Sequence, residues 1–376
     1  MNIEPIKHRT LLGLPIAIEP RKSILEKIEN GLQNFVETEG KHSLQEEKTT
    51  LQPYVIVTPN AEQTVMATAN PYFTKILNQA DLAIPDGIGT VLASRILKTE
   101  DGGQKIEPLR TQIPGVEFMQ DLVAIAAKKR VRIALIGASA DVALKAFECL
   151  KRSYVGLEGW TEEGPLIRIV EQQVAPNASG SVAVVHPSRD EHIRSDGQCE
   201  EGNGAKDRLA GAPSRFEICL SQDHATASPD LMLWLHTMVQ KIEETGVGMV
   251  CIAYGAPKQE YLSHLMAEML RDHQTESRTV ERGRMSQPIG DEQLVSDRDH
   301  ATRSMEIRSG VKRTVILMSV GGSFDMISGR LSRAPRLMRT LGLEWFYRLL
   351  QEPWRIKRQF DLVRFIMIVL KKRFFH

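Results

Sequence analysis

Four runs of apolar, largely β-branched residues recur along the chain, and each closes on small or polar residues. They are Tyr54–Val57 before Thr58-Pro59-Asn60, Val131–Ile136 before Gly137-Ala138-Ser139, Val247–Tyr254 before Gly255-Ala256-Pro257, and Thr314–Val320 before Gly321-Gly322-Ser323. Runs that are apolar throughout, without polar alternation, suit strands covered on both faces, as in a parallel sheet. Between them the apolar positions fall at helical spacing, which predicts helices over Ser23–Val36, Ala61–Asn70, Pro71–Gln79, Ile88–Leu97, Pro114–Ala127, Val142–Leu150 and Leu231–Glu244. Leu11–Ile18 alternates loosely and predicts one further strand, and Ala80–Ile84 is a short apolar segment that stops at Pro85-Asp86-Gly87-Ile88-Gly89. The pattern is that of an α/β fold: a Rossmann-like core of mainly parallel strands flanked by helices.

Periodicity fails in two places: about 168–229, where Ser, Gly, Asp, Glu and Pro dominate and only Ser181–Val185 and Phe216–Leu220 stay apolar, and the charge-rich, apolar-poor stretch of about 271–308. Both read as polar insertions in a core spanning 1–330. The remaining 331–376 is different again. From Arg330 to His376 there are twelve Lys/Arg against three Asp/Glu, a balance of +9 within a chain of net charge +1, so everything before it sums to −8. A helix beyond Pro353 carries Phe360, Val363, Phe365, Ile366, Ile368 and Val369 among Arg355, Lys357, Arg358, Arg364, Lys371, Lys372 and Arg373. Cations interleaved with aromatic and aliphatic residues suit a helix lying on an anionic lipid surface. A core-packing helix with a solvated face is the plainer use of the same pattern. No nucleic-acid readout motif accompanies the charge, which argues against a nucleic-acid partner.

With 376 residues and 42% apolar content the chain can bury a large core without disulfides. Its four cysteines, Cys149, Cys199, Cys219 and Cys251, show no paired or metal-ligand spacing, as expected of reduced thiols in the cytoplasm. The first ten residues are polar and no uncharged run is long enough to cross a bilayer, so a cytoplasmic protein is expected.

Candidate chemistry gathers at the strand ends. In open α/β sheets ligands sit beyond the carboxyl ends of strands, where helix N-termini favour anions, a setting made for a phosphorylated substrate. Thr58, Asn60 and Asp86 are a hydroxyl, an amide and a carboxylate at two neighbouring strand ends. Asp86, the one acid among glycines and apolar residues there, suits a general base; the alternative is a simple cap on the helix that starts near Ile88. Lys258, Gln259 and Glu260 follow a third strand, and the paired Gly321 and Gly322 follow a fourth, where they permit close approach of a ligand or helix. Gly137 resembles a nucleotide-binding turn but is a lone glycine, and Arg95 is either a phosphate contact or an exposed surface arginine. The triplet Asp297-Arg298-Asp299 resembles a metal-holding D-x-D, yet no strand delivers it, and no metal or cofactor is assigned.

Five segments occur in one order: Thr58-Pro59-Asn60-Ala61-Glu62-Gln63; Ala80-Asp81-Leu82 with Pro85-Asp86-Gly87-Ile88-Gly89; Gly255-Ala256-Pro257-Lys258-Gln259-Glu260; Gly321-Gly322-Ser323-Phe324-Asp325; and Gly342-Leu343-Glu344-Trp345-Phe346-Tyr347-Arg348-Leu349. Together they resemble the WecG/TagA/CpsF family, glycosyltransferase family 26, over most of the chain outside the two insertions. The resemblance implies an inverting, metal-independent transferase. Its substrates would be an N-acetylmannosamine-type sugar on a UDP donor and an undecaprenyl-diphosphate-linked N-acetylglucosamine acceptor, in teichoic-acid-type or related surface polysaccharide synthesis. It implies Asp86 as general base, Thr58 and Asn60 lining the pocket, and residues 331–376 as an appendage that meets the inner face of the cell membrane and helps close the site. In that frame Arg336, Arg348 and Arg355 are candidates to balance the departing diphosphate, and Lys258 and Gln259 to contact the nucleotide. A homo-oligomer is left open. Two competing readings are a membrane-bound scaffold that kept the fold without turnover and a nicotinamide-dependent oxidoreductase; the latter lacks a G-x-G-x-x-G after any strand.

Overall fold

The computed structural model describes residues 3–39, 50–97, 108–138, 141–171, 216–220, 224–285, 312–340, 342–353 and 356–375. The chain opens with a hairpin, β1 (His8–Leu11) and β2 (Leu14–Ala17), followed by α1 (Arg21–Glu39). Next come β3 (Thr50–Val57), α2 (Ala61–Ala69), α3 (Pro71–Gln79), β4 (Leu82–Ala83), α4 (Ile88–Ile96) and α5 (Gly115–Lys128). The middle of the chain gives β5 (Arg132–Gly137), α6 (Val142–Ser153), β6 (Gly159–Glu162), β7 (Arg168–Glu171), β8 (Glu217–Leu220) and β9 (Ala225–Ala227). It continues through α7 (Pro229–Thr245), β10 (Val247–Ala253), α8 (Lys258–Met285), β11 (Lys312–Ser319) and α9 (Ser323–Ile327), and ends in α10 (Arg336–Thr340), α11 (Glu344–Gln351) and α12 (Ile356–Phe375).

Six strands form one parallel sheet in the order β4-β3-β11-β10-β5-β6. Its centre is buried: every residue of β10 is buried, and Val315 to Met318 of β11 are inaccessible. Alternate side chains feed two apolar layers. One holds Leu317, Val250, Ile252 and Ile136 with Phe73, Leu77 and Tyr261 from the helices. The other holds Ile316, Met318, Met249 and Ile133 with Phe118, Met119, Leu122 and Ile28. The α/β expectation is therefore met, with helices on both faces of the sheet.

Because all six strands run the same way, the turns after β3, β4, β5, β10 and β11 emerge at one edge of the sheet, which is where the candidate residues lie. Pro53 inside β3 is tolerated for a local reason. The N–H of Val55 is taken by the Asp81 carboxylate at 2.7 Å and not by a neighbouring strand. Residues two apart point their N–H groups to the same edge. Pro53, which has none, therefore faces the edge along which the two-residue β4 pairs only at Ile56 and Val57, with no further strand among the described residues.

Three expectations need correction. The single strand at Leu11–Ile18 is a hairpin, turned at Leu12 and Gly13, both with positive φ. The edges of the first polar stretch are ordered: β7 and β8 pair in parallel, β9 joins antiparallel, and α7 starts at Pro229. β8 falls within Phe216–Leu220, the apolar run inside that stretch, whereas β7 and β9 have four residues or fewer, too short to show a period. The start of the second polar stretch belongs to α8, which continues to Met285 without an apolar face to announce it. Asp297-Arg298-Asp299 and Cys199 lie outside the described residues. Among the described residues no helix is long and apolar enough to cross a membrane.

Candidate active site

A cavity of about 1050 Å³ opens at the carboxyl ends of the strands, and its wall includes Thr58, Asn60, Asp86, Lys258, Gln259, Gly321, Gly322 and Arg348. Four separate turns thus meet around one volume. Asp86 leaves β4 through Pro85, with its N–H bonded to the Pro59 carbonyl at 3.2 Å, so the β3 and β4 turns are tied together at the backbone. The backbone N–H groups of Gly87 and of Gly115, the first residue of α5, lie beside its carboxylate and favour its charged form. The capping alternative does not hold. The N-cap of α4 is Gly87, with no side-chain cap bond, and Asp86 stands at the mouths of two helices. A Cβ on Gly115 would lie 3.3 Å from Thr58 Cγ2 and 3.6 Å from Asp86 Oδ2, so the absence of a side chain lets α5 end against this pair.

The Asp86 carboxyl is ringed by protein yet keeps part of its surface open to the cavity. Burial, reinforced by the Glu344 carboxylate, pushes its pKa up to about 6, against the Gly115 and Gly87 N–H groups and the Arg348 cation, which pull it down. Such a group is ionised at neutral pH and more basic than an ordinary aspartate, the property wanted of a proton acceptor.

Beneath the cavity a buried network joins three turns. Glu260 is inaccessible, and its Oε1 accepts from Gln63 Nε2 at 2.7 Å and from Gln259 Nε2 at 2.8 Å. Gln63 Oε1 in turn accepts the Asn60 N–H at 3.2 Å, and Gln259 Oε1 accepts the Gly321 N–H at 2.8 Å. Glu260 Oε2 has no hydrogen-bond partner among the described residues, and burial raises this carboxyl to about 7 despite the two amides. Asn60 completes a capping box on α2, with its Oδ1 accepting the Gln63 N–H at 3.0 Å.

The other candidates divide. Arg348, on α11, lines the cavity, acts on Asp86, lies 3.8 Å from Glu352, and presses its guanidinium against Gly322, where a Cβ would collide with it. Arg95 is exposed, bonded at 3.4 Å to the Arg110 carbonyl, and off the cavity wall, because it lies on the outer face of α4. Gly137 also stands off the wall: its φ of +96° and the closeness of the Ala253 carbonyl and Tyr254 ring make it a packing glycine between strands. Glu260 is a support under the site, not part of its wall. The side chain of Arg336 and all of Arg355 lie outside the described residues.

Sequence reasoning missed Glu344, Tyr254, Gln112 and Arg358, all on the wall. Glu344 and Arg358 reach it from the C-terminal segment, which no spacing within the core could indicate. That segment is also fixed to the core by charge. Glu117 receives Arg333 at 2.5 Å, Arg21 at 2.6 Å and Arg339 at 3.2 Å. Though burial pushes the Glu117 carboxyl up, these hydrogen bonds hold it below the usual glutamate range.

A sequence model described as the glycosyl transferase WecG/TagA/CpsF family matches residues 32–178 and 305–376, more than half of the chain. Two curated relatives bear the name N-acetylglucosaminyldiphosphoundecaprenol N-acetyl-beta-D-mannosaminyltransferase. The one from Bacillus spizizenii is 23% identical over 316 residues, covering 84% of this chain and 78% of its own. The one from Bacillus subtilis is 23% identical over 345 residues, covering 92% and 88%.

Proposed function

Since the chain belongs to the WecG/TagA/CpsF family of glycosyl transferases, we propose that it moves an N-acetylmannosamine-type sugar, with inversion, from a UDP donor to a polyprenyl-diphosphate-linked N-acetylglucosamine. The acceptor and the sugar are those in the names of its relatives. The observation that carries the reading is Asp86: a carboxylate with pKa about 6, at two helix mouths, facing a cavity that also presents Arg348.

In this scheme the acceptor hydroxyl attacks the anomeric carbon from the face opposite UDP. Its proton passes to an Asp86 carboxylate oxygen as the new C–O bond forms, and the bond from the anomeric carbon to the diphosphate breaks, with the electron pair leaving on UDP. Arg348 and Lys258, with the N-terminus of α8, offset the charge that accumulates on the diphosphate. Thr58 and Asn60 line the wall, and Gln259 and the Gly321-Gly322 turn shape the side facing the nucleotide. The C-terminal segment, residues 331–376, supplies Glu344, Arg348 and Arg358 to the wall and carries the basic, apolar α12 to the inner face of the cell membrane, where a lipid-linked acceptor resides.

The test is incubation with a panel of UDP-sugars and a prenyl-diphosphate N-acetylglucosamine analogue, with products followed by mass. A disaccharide-linked lipid formed only with UDP-N-acetylmannosamine-type donors is expected. Transfer from another donor class, or none from any, overturns the assignment.

A further inference from the structure

The cavity does not end at the polar groups. From Asp86 it continues along the length of α4, about 12 Å from Ile88 to Ile96 at 1.5 Å per residue. Its wall there is apolar. Ile88, Leu92, Ala93 and Ile96 of α4 line one side, and Leu362, Phe365, Ile366, Val369 and Leu370 of α12 the other. The α12 set recurs at i, i+3, i+4, i+7 and i+8, a single helical stripe. Phe365 and Val369 are buried, but Ile366 and Leu370 stay 49% and 41% exposed. On α4, Leu92 is 47% and Ile96 39% exposed. A membrane-facing role for α12 does not explain the two α4 residues, which belong to the core and look into the cavity.

We propose that this groove between α4 and α12 holds the first isoprenoid units of the acceptor, with the diphosphate and sugar at the Asp86 end and the rest of the tail leaving toward the lipid surface. The inference rests on the function proposed above. One continuous cavity is polar and cationic where a sugar diphosphate would lie and apolar where the chain attached to it must run. The acceptor in the relatives' names has that same order of chemistry. Leu92 and Ile96 are therefore specificity residues for the tail.

The experiment uses the full chain, wild type and the pair Leu92→Ser and Ile96→Ser, each checked for an unchanged melting profile. Two readouts are taken: kcat/KM on N-acetylglucosamine diphosphates bearing a long prenyl or a short alkyl tail, and direct binding of a fluorescent prenyl diphosphate without any sugar. The wild type is expected to prefer the long tail. Each variant is expected to lose on the order of tenfold of that preference, the factor for withdrawing about two buried methylene groups, and to bind the prenyl diphosphate correspondingly less. Equal preference and equal binding in variant and wild type overturn the groove. If no acceptor is glycosylated but the variants bind the prenyl diphosphate more weakly, the groove stands and the transferase reading falls.

Discussion

Replacing Asp86 with Asn should make the protein inactive and, above pH 6, more stable. The carboxyl is raised from 3.8 to about 6 in the folded chain, first by burial and then by Glu344. In the unfolded chain it ionises near 3.8, so between these values the unfolded state has given up its proton and the folded state has not. Stability therefore falls as pH rises through this window, and the full cost stands above about pH 6. A shift of about 2.2 units at 1.36 kcal/mol each gives about 3 kcal/mol in total. Between pH 5 and pH 8, about 1.4 kcal/mol of it develops. Any constant difference between an amide and a protonated carboxyl cancels when the two pH values are compared. Urea titrations of both proteins at pH 5 and pH 8 measure this directly. The stability gap should widen by about 1.4 kcal/mol in favour of Asp86→Asn, while wild-type kcat/KM should show an acid limb near pH 6 and the variant should lose roughly 10²–10⁴-fold in turnover. A gap that stays flat with pH would show that Asp86 ionises as an ordinary surface acid, and the proton-acceptor role would go with it.

Arg348→Ala should lower kcat by roughly 10²-fold or more, with Arg348→Lys recovering part of it, because the cation is placed for charge that appears only as the diphosphate departs. Steady-state kinetics with UDP-sugar varied separates this from a pure KM effect, which would refute it. Glu117→Gln should replace the carboxylate shared by three arginines with a neutral amide and loosen the C-terminal segment, at a cost of about 1–2 kcal/mol given that the cluster is only partly buried. Faster cleavage near residues 330–340 in limited proteolysis is expected, and wild-type cleavage rates would show that the cluster does not hold the segment.

The strand ends were legible because each combined a buried apolar run with an abrupt change to Pro, Gly or a single polar residue, as at Val57-Thr58-Pro59 and Ile84-Pro85-Asp86. Those signals are local. What decides whether Arg95 or Glu344 faces the cavity is the rotation of a helix and the return of a distant segment, and neither leaves a mark in the nearby sequence. The same holds for Gly137 and Glu260. Both stand at the carboxyl ends of the right strands, but one is needed for strand packing and the other turns beneath the floor, where Gln63 and Gln259 bind it. The edge strand β6 escaped notice because its four residues include one large apolar side chain, Trp160.

The place of β11 in the sheet has a consequence for how the molecule is made. It is the last strand to be synthesised, yet it lies between β3 and β10 and separates them. Before β11 is made, the native pairings open to the other strands of this sheet are β4-β3 and β10-β5-β6 alone, and each group would present an unpaired hydrogen-bonding border where β11 belongs. Only when Lys312–Ser319 slides between them do the halves become one sheet, and only then does Gly321 arrive to meet Gln259. A nascent chain stalled short of this wedge is expected to be adhesive and catalytically blank.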